Sequence, residues 1–82
     1  MMEENTTPKP HERDNELKKL AAIAVDMELN PKLRTNAIES MGEIGTHEAL
    51  LALLELVADD KLNIPERELA LKQAKEIVKS GR

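Results

Sequence analysis

Residues 33–45 read Leu33-Arg34-Thr35-Asn36-Ala37-Ile38-Glu39-Ser40-Met41-Gly42-Glu43-Ile44-Gly45, and 33 residues later the chain follows the same plan. Arg34 aligns with Arg67, Ala37 with Ala70 and Ile44 with Ile77, while Ile38 against Leu71 and Met41 against Ala74 stay apolar. The match extends backward, pairing Leu17 with Leu50, Leu20 with Leu53, Asp26 with Asp59, Leu29 with Leu62 and Asn30 with Asn63. An ungapped repeat of this length is not a by-product of the helical turn of about 3.6 residues. It marks two copies of one supersecondary unit.

Each unit reads as two helices. Leu17, Leu20, Ala21, Ala24 and Val25 recur at helical intervals, so a first helix is expected from about His11 or Asp14 to Leu29. Asn30 then offers a cap and Pro31 a first helical position for a second helix carrying Leu33, Ala37, Ile38, Met41 and Ile44, which Gly45 ends. Thr46 can cap a third helix with Glu48 in its first turn and Leu50, Leu53, Leu54 and Val57 on its stripe, ending near Asp60 or Leu62. Ile64 and Pro65 open a fourth, with Leu69, Ala70, Ala74, Ile77 and Val78 as buried stripe and Ser80-Gly81 as stop. The expected fold is all-α: two antiparallel helix-pair repeats, about 14–46 and 47–80, within a domain spanning 11–82. Residues 1–10, polar and carrying Pro8 and Pro10, read as a disordered arm.

Composition narrows the function. An 82-residue chain is one domain of marginal core size, and the absence of Cys removes disulfides and thiolate metal sites as reinforcement. Two histidines, His11 and His47, do not make a structural zinc site, and no phosphate-cradling glycine loop is present. No cofactor is expected. A formal charge of −4 disfavours nucleic acid as a partner, because neutralising phosphates needs a surplus of Lys and Arg on some face. The apolar runs are too short and too often broken by charge to span a bilayer, and the N-terminus has no signal-like apolar region. A cytoplasmic location is the expectation.

The second helix with its following turn, Leu33 to Gly45, then Glu48-Ala49-Leu50 and Leu53-Leu54, closely resembles the HEAT-like repeats first named from phycobilisome lyases. Lys75 in place of Gly42 and Val78 in place of Gly45 depart from that pattern, so the last helix resembles a terminal one. The resemblance implies helix pairs stacked into a short α-α superhelix, with the second and fourth helices lining an inner, partner-binding surface. On that basis Asn36, Glu39, Glu43, Lys72, Gln73 and Glu76 are candidate protein-binding residues, and Glu66 is an exposed inner-face position. It further implies that Asp26 and Asp59, each eight residues before Arg34 and Arg67, form a structural ladder of ion pairs with those arginines.

The third helix carries Leu50, Leu51, Leu53, Leu54, Leu56 and Val57, more apolar surface than one stripe requires. Leu51 and Leu56 are therefore candidates for self-association, and because repeat arrays usually need three or more units, a homodimer or a complex through the open end of the third and fourth helices is expected. The leading functional expectation is a non-enzymatic scaffold or adaptor for a protein or peptide, with no catalytic residues. Alternatives are an accessory subunit of a bilin lyase-like enzyme, against which the missing aromatics and Cys weigh, and a plain four-helix bundle without a concave surface.

Overall fold

The computed structural model describes residues 10–80, with side chains from residue 15 onward. It is all-helical, with α1 at Pro10–Val25, α2 at Pro31–Ile44, α3 at His47–Val57 and α4 at Ile64–Lys79. The expected 1–10 arm lies outside the described residues, apart from Pro10 at the start of α1.

The first helix of each pair ends earlier than apolar periodicity indicates, and for the same reason in both. Asp26 Oδ1 accepts the Glu28 N–H at 3.0 Å, and Asp59 Oδ1 accepts the Lys61 N–H at 2.9 Å. A short carboxylate that bonds the backbone two residues on competes with the helix and turns the chain. The backbone then closes the turn identically: Leu29 N–H to Asp26 O at 3.0 Å, Leu62 N–H to Asp59 O at 3.1 Å. Leu29 and Leu62 thus belong to the turns, not to α1 and α3, and Leu62 is buried there.

The next helix of each pair starts at an Asn. Asn30 and Asn63 both hold extended backbone, and Asn30 Oδ1 accepts the Leu33 N–H at 3.0 Å, satisfying one of the free donors of the first turn. Thr46 does the same for α3 by accepting the Ala49 N–H at 3.1 Å. Between α2 and α3, Gly45 adopts φ 70°, the left-handed conformation that stops a helix cheaply only at glycine. Its counterpart Val78 stays helical inside α4.

The packing follows from these short connections. α1 lies along α2 and α3 along α4; α2 also lies against α4 and touches α3, and α1 meets α3. Among the described residues α1 and α4 do not meet, whereas a closed up-and-down bundle would bring first and last helices together. The result is two hairpins stacked side by side, with α2 and α4 neighbours. Ile38, Met41 and Leu53 are the largest fully buried side chains, and Ala24, Ala37, Ala49, Ala70 and Ala74 fill the closest approaches. With no Phe, Tyr or Trp in the chain, small residues let the helix backbones approach and branched chains fill the remainder. No helix among the described residues is long and apolar enough to cross a membrane.

Candidate protein-docking face

The central polar feature is an ion pair between the two hairpins. Arg34 on α2 and Glu66 on α4 are each only 3% exposed, and the arginine donates from Nε at 3.2 Å and Nη2 at 2.6 Å to Glu66 Oε2. Arg34 Nη1 donates to the Leu29 carbonyl oxygen, and Glu66 Oε1 accepts the Asn63 N–H at 3.3 Å. One guanidinium therefore ties the first turn, the start of α2 and the start of α4 together, and Glu66 both caps its own helix and answers the arginine. No buried side-chain polar atom among the described residues lacks a partner.

This corrects two expectations. The ladder does not form: Asp26 and Asp59 are turn residues, Arg34 pairs with Glu66, and Arg67 donates from Nε to the Val57 carbonyl oxygen at 3.0 Å. Each Asp carboxylate bonds through Oδ1 to the backbone N–H two residues on, and among the described residues neither forms an ion pair with the arginine eight residues later. Glu66, expected on an exposed face, is buried. The partner of Arg34 was hidden because Glu66 is offset by one position from the repeat; its counterpart is Leu33, not an acidic residue.

The inner-face candidates divide. Asn36, Glu39 and Glu43 on α2 and Lys72 and Glu76 on α4 are exposed. Gln73 is half-buried, its side chain laid over Gly42: a Cβ there would overlap Gln73 Oε1 and stand 2.8 Å from its Cδ and 3.0 Å from its Cβ. Gln73 is therefore a packing residue between α2 and α4. Of the self-association pair, Leu51 is 48% exposed, but Leu56 is 4% exposed and belongs to the core beside α1. The surplus leucines of α3 are used partly inward, because α3 packs on α1, α2 and α4 at once.

The open end of α3 and α4, the expected association surface, carries a groove whose lining residues sequence reasoning did not single out. Leu50 and Leu54 of α3 form one wall, and Leu71, Ala74 and Val78 of α4 the other, around a volume of about 360 Å³. Lys75 and Lys79 flank it. Leu54, Leu71 and Val78 are all exposed, although the periodicity of the sequence puts Leu54 and Val78 on buried stripes. A second depression, lined by Val57, Ile64, Arg67 and Glu68, shares Leu71 and so continues the groove towards the start of α4.

The repeat explains the groove. Subtracting 33 from its lining positions gives Leu17, Ala21, Ile38, Met41, Gly42, Gly45 and Thr46. In the first hairpin Ile38 and Met41 are fully buried, between Arg34 and Gly42, both of which touch α4. The surface covered by the second hairpin in the first copy is partly open in the second: Ala74, the counterpart of Met41, stays buried. Leu71, the counterpart of fully buried Ile38, is 37% exposed.

Fold and groove define a class: a two-hairpin helical stack with one uncovered apolar end. No family model, curated protein or solved structure matches the chain.

Proposed function

We propose that this chain is a non-enzymatic protein-binding module, a small HEAT-like scaffold whose binding surface is the uncovered groove between α3 and α4. The single observation that supports it is the correspondence just described, in which Ile38, fully buried in the first repeat, recurs in the second as Leu71, apolar and exposed at the groove. A contiguous apolar surface with charged borders is the physical form of a docking site. This replaces the polar inner face as the principal candidate, because Asn36, Glu39, Glu43, Lys72 and Glu76 are exposed polar residues of the kind that keep any helix face solvated.

The experiment is a comparison of wild type with Leu71→Asp, chosen because Leu71 lies at the groove and outside the buried core. Proteins of the native host retained by the wild-type chain are identified, expressed, and titrated against both purified forms. Binding to wild type and at least about tenfold weaker binding to Leu71→Asp is expected, as a charge introduced into an apolar contact costs well over 1.4 kcal/mol. Equal binding by two forms of equal helicity would sink the reading.

A further inference from the structure

The groove has a polar terminus as well as apolar walls. On α4, Arg67, Leu71, Ala74 and Val78 fall at successive spacings of four, three and four residues, so they form one stripe of the helix. The equivalent stripe of α2 is Arg34, Ile38, Met41 and Gly45, and α4 lies across it with the Glu66 carboxylate on Arg34. Arg67 is only half-buried and uses Nε for the Val57 carbonyl; among the described residues no carboxylate forms an ion pair with it. Lys75 stands where Gly42 receives Gln73 in the first repeat, so the closest approach of that interface is here replaced by a cation.

Resting on the docking role proposed above, we infer that the groove takes an amphipathic helix of a protein partner that carries acidic residues, one carboxylate meeting Arg67 and another meeting Lys75 or Lys79. The helix lies along α4 as α4 lies along α2. Its apolar residues fill the space between Leu54, Leu71 and Val78, and its acidic residue at the Arg67 end repeats the role of Glu66. Charge complementarity selects this occupant: cations outnumber carboxylates along the groove, with Arg67, Lys75 and Lys79 against Glu68 at the Arg67 end, in a chain whose net charge is −4. A second copy stacked in the same register fits worse. It would bring Leu33, the counterpart of Glu66, to Arg67, and would cover the guanidinium with no carboxylate to answer it.

The test presents the full chain with a displayed library of helical peptides of about 18 residues, five turns, with a fixed apolar stripe and randomised polar positions. Leu71→Asp serves as counter-selection. Enrichment of Asp and Glu among binders is expected, together with a loss of about tenfold in affinity of the selected peptides for Arg67→Gln, the scale of one charge-assisted hydrogen bond. Replacing the selected acidic residue by its amide should cost a similar factor against wild type and nothing further against Arg67→Gln. Binders that show no acidic preference, or that are indifferent to Arg67, would overturn the inference while leaving the docking role intact. Absence of any binder above the Leu71→Asp background would overturn both. Sedimentation equilibrium gives the remaining outcome: self-association of wild type that is lost in Leu71→Asp would make a second copy the occupant and overturn the acidic helix.

Discussion

Arg34 and Arg67 occupy the same place in two copies of one unit, and their surroundings differ almost completely. Each backbone N–H donates to the Asn carbonyl four residues earlier, at 3.3 Å for Arg34 and 3.0 Å for Arg67. The local chain is the same. Beyond the backbone, Arg34 is sealed under α4 in a pair with Glu66, whereas Arg67 is half-buried and, among the described residues, has the Val57 carbonyl as its side-chain partner. The comparison separates what a repeat carries with it from what its position in a stack confers. Turn chemistry travels with the sequence of each unit; burial depends on whether another hairpin lies over it.

The sharpest way to break this comparison is at the buried pair. Glu66→Ala leaves Arg34 buried and removes the acceptor for the Asn63 N–H, so it should lower unfolding free energy by roughly 3–5 kcal/mol in urea denaturation. Arg67→Ala, at the equivalent place of its own unit, should cost no more than about 1 kcal/mol, because it removes one hydrogen bond from a half-buried site. Similar losses at the two arginine sites would mean that Arg34 is not the tie between hairpins.

Gly42 and Lys75 give a second contrast of smaller size. Gly42→Lys places a Cβ within the Gln73 side chain and should destabilise by about 1–3 kcal/mol, as overpacking does. The reverse change at the counterpart, Lys75→Gly, faces open groove and should cost only the helix propensity of glycine, about 1 kcal/mol. Thermal unfolding followed by circular dichroism measures both. A Gly42→Lys variant as stable as wild type would place α2 and α4 further apart than they are here.

The smallest effects should also be the most alike. Asp26→Ala and Asp59→Ala each remove one side-chain bond to the second residue of a turn, and each should cost about 0.5–1.5 kcal/mol. The two values should agree within about 0.5 kcal/mol if the turns are one device used twice. A large excess at either aspartate would revive the ion-pair ladder that the geometry rejects.

Much of this was readable from residue order. Asn30, Thr46 and the Ile64-Pro65 pair located three helix starts, Gly45 located a helix end, and the 33-residue period paired the hairpins. The candidate site was less readable. Leu54 and Val78 obey the same periodicity as buried neighbours, and period alone does not report whether a helix lies over a given stripe. Glu66 escaped for the opposite reason, since a carboxylate on a helix is ordinarily solvated and nothing local indicates an arginine 32 residues earlier.

Sequence alone therefore determined four helices in two like pairs, the starts of three of them, and the aromatic-free character of the core, because helix starts depend on interactions within a few residues of each other. Only the tertiary structure decided that Arg34 answers Glu66, that Leu56 and Gln73 serve packing, and that one apolar side of the second hairpin stays open. Those outcomes depend on which surface of one hairpin meets the other, and that choice is made by residues far apart in the chain.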